Sequence, residues 1–423
     1  MASIGPDAGG VKYQAALDRH LPQERIVQLA RECGHRWRER TLGPAMTVHL
    51  WIMQVLLSNL SMAGVRHLSR KAVTAAAICQ AKMRLPMQLL VRLNQFLLEQ
   101  ITGGKKQPTW HGHRLLGGDG VCYYTPDTAR LRKKFGSKKR FGFPLLKAVT
   151  LFDLASGAIL GQIPLPHRRQ ESPVLGRLLR WARRGDVVVL DRAYPAFFSL
   201  CQARRCGVEL VIRLKRNLFA KAGSRRKIKK RLGQEDFLVL WCKPKERPKQ
   251  ISKRQWQMVF GQLTLRQISL NIKRRGWRTR RITVLTTLTD PKAYPAHEIT
   301  QIYARRWELE INFRHLKQTL NLEHLRSQTV DGVERELMIR SLAYNLVCAT
   351  MQQAARLWNI EPLRISFADT LHFLLLGAIG IEPARITINP LRPGRFEPRR
   401  LKRQKKNYMP FNCSRADARK KAA

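Results

Sequence analysis

Residues 298–320 (EITQIYARRWELEINFRHLKQTL) carry Tyr303, Arg306, Glu310 and Lys317 at separations of 3, 4 and 7. In a helix, at about 100° per residue, these side chains fall within roughly 60° of one another and make one stripe. Beside it, Ile302, Leu309, Phe313, Leu316 and Leu320 follow the i, i+3, i+4 spacing by which a helix docks on a core. The segment is predicted to be a single helix that holds a lone carboxylate outward among groups that bind phosphate. A solvated face laced with ion pairs has the same pattern. The two readings separate on whether further carboxylates reach the same place from strand ends upstream.

Two upstream acids qualify. Asp119 sits in GGDGV, inside the strand-like run 114–124, where flanking glycines would let a phosphate or a metal approach the backbone. Asp191 ends DVVVLD, a valine run of the kind buried in a central sheet, and is followed by Arg192. Ligands of α/β sheets gather at such carboxyl ends. Asp127, in TPDT, and Asp153 are weaker candidates for the first position. Asp119, Asp191 and Glu310 drawn together would repel one another, and divalent metal relieves that repulsion. Mg2+ prefers hard oxygen ligands and keeps waters, so two such ions, with Mn2+ as a substitute, would activate a water or a 3′-hydroxyl and stabilise the leaving oxygen. In-line displacement at phosphorus then needs positioning and charge neutralisation, which Arg306 and Lys317 are spaced to supply.

The charge balance names the polyanion. Across 423 residues, 79 lysines and arginines face 29 acidic residues, a formal charge of +50. Each phosphate that a cation neutralises releases condensed counterions, so a nucleic acid, DNA or RNA, is the expected partner. A membrane surface would usually call for one amphipathic basic helix, whereas here the cations recur along the whole chain, and no membrane partner is expected. Hydrophobic residues make up 44% of the chain, enough to fold. The eight cysteines form no CxxC pair and read as reduced thiols of a cytosolic protein. Residues 45–65 are apolar but contain His49, Gln54, Ser58, Asn59 and Ser61, which favours a buried helix over a membrane span. The N-terminal residues lack the pattern of an export signal, so a cytoplasmic, nucleoid-associated location is expected.

The elements that must position these acids read as an α/β fold. Residues 1–102 are predicted to be a helical, DNA-binding N-terminal domain, in which residues 73–86 present Gln80, Lys82 and Arg84 as a compact DNA-contacting unit. After a Gly/Lys/Pro-rich linker at 103–113, residues 110–388 alternate strands and helices as in a mixed sheet covered on its faces. Residues 216–281 interrupt this with basic clusters and short strands, a β-rich insertion expected to stand apart from the central sheet. Residues 389–423 form a Pro-interrupted basic tail, expected to be disordered without nucleic acid.

Together these residues resemble bacterial insertion-sequence transposases of the DDE class, IS-four family, whose signature is Y-x2-R-x3-E-x6-K. Tyr303, Arg306, Glu310 and Lys317 match it at every spacing, and the likeness extends to GGDGV, VVVLDRAY, ITVLTTL, LRSQTVDGVERELMIRSLAYNLV and PGRFEPRRLKR, roughly residues 70 to 405. One departure is Val121, where relatives often have Thr or Ser. The resemblance implies an RNase H-like mixed-sheet catalytic core with an all-helical domain before it. It also implies a homodimer on paired terminal inverted repeats that cuts DNA and joins 3′-hydroxyls to target DNA, in some relatives through a hairpin with a flipped base. Tyr303 and Arg306 would then hold neighbouring phosphates. A tryptophan of the insertion would stack on the flipped base, Trp277 in RRGWRTRR ahead of Trp241 and Trp256. The rival reading is a catalytically inactive, transposase-derived DNA-binding protein, which would have no need of the three acids.

Overall fold

The computed structural model describes residues 17, 19–69, 72–103, 109–137, 142–220, 226–271, 281–378, 386–390, 417 and 420. Its centre is a nine-stranded sheet in the order β3-β2-β1-β4-β5-β9-β8-β7-β6. The first half comprises β1 (Leu115–Tyr124), β2 (Leu145–Asp153), β3 (Ile159–Pro166), β4 (Val187–Leu190) and β5 (Glu209–Arg213). Within it β1, β2 and β3 run antiparallel, and β4 and β5 lie parallel to β1. That 3-2-1-4-5 order is the RNase H-like arrangement.

Parallel central strands need cover on both faces, and β4 shows it residue by residue. Val187 and Val189 enter one apolar cluster with Phe152, Leu309 and Ala343, while Val188 and Leu190 enter another with Leu175, Leu178, Phe198 and Leu200. The period-two alternation of a strand thus sorts a uniformly apolar run between two cores. One core lies under α5 (Phe197–Cys206), the other under α7 (Trp307–Arg314) and α8 (Val330–Trp358).

Helix α8 is buried on every side over residues 339–351 because it is sandwiched. Its outer face meets α2 (Pro44–Leu56) and α4 (Met87–Thr102), which share one continuous core with α1 (Gln23–Glu32) and the sheet. Asn345 of α8 serves both neighbours of that layer. Its amide donates to Asn94 Oδ1 and to Ile159 O, both at 2.8 Å, and its carbonyl accepts from Ile159 N at 2.8 Å. A buried amide left without those partners would cost about 1–3 kcal/mol, so this one residue fixes the N-terminal helices against the end of β3.

Two expectations about architecture change. Strands β6 (Arg226–Gly233), β7 (Asp236–Cys242) and β8 (Gln262–Asn271) do not stand apart: β9 (Arg281–Thr286) pairs antiparallel with both β5 and β8, so the insertion extends the central sheet. The reason is that β5 has an open edge once β4 covers the other, and the chain returning from the insertion fills it. In α3 (Ala75–Arg84), Gln80 and Arg84 are exposed, but Lys82 is buried, bonded to Gln54 and packed over the Trp51 ring at 5.0 Å, and burial pushes it down to about 8. Lys82 therefore faces the helical core, not a groove. No helix among the described residues is long and apolar enough to cross a membrane, and most of the basic tail lies outside the described residues.

Candidate active site

Strand register brings the first two acids together. Gly118 pairs with Leu190 in the parallel β1–β4 ladder, so Asp119 and Asp191 are the next residues along two neighbouring strands. Side chains at matched positions of parallel neighbours point to the same face, with strands about 4.8 Å apart. That face is the one carrying α7, because a Cβ built on Gly117, two residues earlier, would meet Leu309 Cδ2 of α7 at 2.7 Å. Gly117 is what lets the helix sit close enough for its acid to reach the strand acids. The flanking glycines themselves admit protein groups, not a ligand: Gly118 meets Leu190 and Leu178, and Gly120 meets the Glu171 carboxylate.

The signature segment is not the single helix expected. α6 (Ala296–Ala304) ends at Arg305, α7 follows after a tightened turn, and His315–Thr319 is a π-helix. Across the junction the amides of Arg305, Arg306, Glu308 and Leu309 bond to carbonyls three residues back. Arg305 also reaches away to Leu154 O at 2.7 Å, a tertiary contact that competes with straight continuation. The apolar stripe survives: Ile302, Leu309, Leu316 and Leu320 are buried and Phe313 packs against them.

Arg306 stands in the middle of the site. It contacts Asp119 Oδ2 at 3.4 Å and Glu310 Oε1 at 3.1 Å, so first and third acids are one guanidinium apart. Asp119 is pushed up to about 6, by burial first and then by the charges of Asp191 and Glu171, against the Gly120 amide that donates to it at 2.8 Å. Asp191 Oδ1 accepts from Ala193 N at 2.7 Å, and Arg192 beside it is exposed. Among the described residues no three or more His, Cys, Asp or Glu side chains are grouped as one ion would require. Asp119 and Glu310 meet at Arg306 instead.

The other anticipated residues divide. Tyr303 does not face outward with Arg306 and Glu310: its ring is buried in the core, burial raises its hydroxyl, and its charged neighbours are Arg306, Arg213 and Asp191. Lys317 pairs with Glu323 at 3.7 Å, and the π-turn beneath it breaks the α-helical spacing on which its alignment with Glu310 relied. Asp153 is fully buried and takes the amides of Ala155 and Ser156 in the β2–β3 turn, and Asp127 pairs with Arg132. Trp241 is only 3% exposed and offers no open face, while Trp256 is half-buried beside Lys243. Trp277 lies outside the described residues. Glu171 had no motif around it, and only the fold brings it near Asp119.

Known proteins resemble this chain over much of its length. The family model described as "Transposase DDE domain" matches residues 111–346. The transposase InsG of insertion sequence element IS4 from Escherichia coli (strain K12) is 27% identical over 333 residues, 75% of this chain and 71% of that protein. A putative transposase, InsZ, from the same organism is 28% identical over 195 residues, 41% of this chain and 62% of its own length. Among solved structures, a piggyBac transposase synaptic complex with hairpin DNA aligns with TM-score 0.46 and 10% identity, covering 86% of this chain and 80% of that one.

Proposed function

The chain belongs to the family of DDE-domain transposases, in its IS-four branch, and on that premise we propose that it cuts DNA at the ends of its own insertion sequence and joins the 3′-hydroxyl ends to target DNA. Asp119, Asp191 and Glu310 are the catalytic acids and hold two divalent ions, Mg2+ or in its place Mn2+. The observation that carries this reading is that Asp119 and Glu310 meet at Arg306 while Asp191 ends the strand beside that of Asp119, whose carboxyl is lifted by burial and by the charge of Asp191. Hard carboxylate oxygens in mutual repulsion are a donor set that suits a divalent cation. Bound there, such ions would neutralise charge on the transferring phosphate and lower the pKa of the attacking hydroxyl or water.

The rest of the site binds and orients. Arg306, free to exchange its two weak carboxylate contacts for phosphate oxygens, clamps the strand beside the scissile bond. Tyr303, anchored in the core, holds Arg306 from behind and keeps its hydroxyl toward the same phosphates. Arg192 and Lys317 neutralise flanking phosphates, and Trp277 is the proposed stacking platform for a flipped base. The N-terminal helices read the terminal inverted repeats through the exposed face of α3, and the chain acts as a homodimer on paired ends in the cytoplasm, at the nucleoid. The test is Glu310→Gln incubated with Mg2+ and duplexes of the element's ends. Cleavage is expected to vanish while duplex binding persists; cleavage at the unsubstituted rate would refute the assignment.

A further inference from the structure

Glu171 is not on the face that carries the acids. It follows β3 in a loop, RRQESPV, and its carboxylate lies against Gly120, where an added Cβ would come within 2.7 Å of Glu171 Cδ. Two groups hold it there. Tyr194 Oη donates to Glu171 Oε2 at 2.7 Å, and Lys147 Nζ of β2 approaches Oε1 at 3.2 Å while also donating to Arg169 O at 3.1 Å. Both side chains are well covered: Tyr194 is fully buried, and the Glu171 side chain is 14% exposed.

Tyr194 belongs to the turn that follows Asp191. Asp191 Oδ1 accepts from Ala193 N at 2.7 Å, and the Tyr194 amide points back to Asp191 O at 3.4 Å. Gly120 is the residue after Asp119 and its amide holds Asp119 Oδ1 at 2.8 Å. Beyond Leu190 the β1–β4 ladder ends, so no backbone pairing fixes the distance between the two acids at the point where it matters. We propose that Glu171, clamped by Tyr194 and Lys147 against Gly120, is a positioning residue that braces the Asp191 turn to the Asp119 strand and so sets the spacing of two metal-binding carboxylates.

A brace of this kind touches neither DNA nor ion. Outer partners that orient ligands are worth about 10- to 100-fold in metal affinity or activity. The inference rests on the metal-binding reading above, and the experiment separates the two. Mn2+ uptake by the full chain on a duplex of its terminal repeat is followed by electron paramagnetic resonance of free Mn2+, beside the Mg2+ dependence of cleavage. Tyr194→Phe, which removes one hydroxyl, and Gly120→Ala, which displaces the carboxylate without removing charge, are each expected to raise half-saturating metal about ten-fold. Cleavage should recover at high Mg2+, and metal-free duplex binding should be unchanged. Glu171→Gln, which still accepts from Tyr194, should lie nearer the parent than Glu171→Ala. Half-saturation within two-fold of the parent in folded Tyr194→Phe and Glu171→Ala overturns the brace, provided Asp119→Asn abolishes uptake. A parent chain that takes up no Mn2+, or Asp119→Asn that binds it undiminished, removes the metal reading and the brace with it.

Discussion

Arg266 on β8 meets Asp236 on β7 through both edges of its guanidinium, at 2.8 and 2.5 Å, and gives another nitrogen to Tyr294 O at 2.6 Å, with side chains only 1% and 11% exposed. Arg306 meets Asp119 through a single 3.4 Å contact, divides itself with Glu310, and the two side chains are 18% and 22% exposed. The same two residue types, one pair within the sheet and one between the sheet and α7, have opposite environments. In the extension, every donor is satisfied and water is excluded, so the pair locks β7 and β8 to the segment that leads into α6. At the acids, the pair is long and incompletely bonded, and burial, with the charge of Asp191, raises Asp119. A guanidinium held that weakly can be exchanged for phosphate, and carboxylates so crowded gain from a divalent cation. On the proposed reading, loose pairing is what leaves the site open to phosphate and metal, without the satisfied donors of the Arg266 pair.

The contrast can be broken at its strongest point first. Asp119→Asn should lower cleavage of terminal-repeat DNA by at least about 10²-fold, the scale of a lost charge stabiliser in the transition state. Arg266→Ala should do the reverse of what its chemistry suggests: cleavage per folded molecule stays close to the parent, while the unfolding free energy falls by about 3–5 kcal/mol because Asp236 is left charged and buried. Denaturant melts of that variant with intact midpoint would mean that the extension does not depend on the pair.

A subtler outcome concerns the sign of stability with pH. The folded-state pKa of Asp119, about 6, stands above its unfolded value of 3.8, so the native chain holds that proton more tightly. Unfolding free energy therefore falls as pH rises from about 3.8 to about 6 and stays lowered above that window. In chelator, Asp119→Asn should be more stable than the parent at pH 7.5 by on the order of 1–3 kcal/mol, and no more stable near pH 3.5. Thermal melts at the two pH values decide it; equal midpoints at both would show that the site is not strained by its charges. The smallest effect belongs to an exposed pair. Arg281 and Glu235, at 50% and 40% exposure, bridge the same extension, and Arg281→Ala should change stability by less than about 1 kcal/mol.

Much of this was legible in the chain. The valines of β4 announced a doubly covered strand because four successive apolar residues cannot alternate with water. The apolar stripe of the signature segment announced a docking face, and each of the three proposed acids sits at a motif of its own. What escaped reading had no local cause. The break between α6 and α7 follows from Arg305 bonding to Leu154 O, a partner 151 residues away. The inward turn of Lys82 depends on Gln54 and Trp51 of another helix. Continuity of β6–β9 with the main sheet depends on which edge lay open when the chain returned.

The sequence by itself determined the fold class, the family and the polyanionic partner, because charge, period and motif are properties of neighbours along a chain. Only tertiary structure decided that Gly117 makes room for Leu309, that Arg306 lies between Asp119 and Glu310, and that Glu171 joins Tyr194 to Gly120. Those are distances between segments far apart in the chain, and no pattern along a single strand or helix encodes a distance to a segment that it has not yet met.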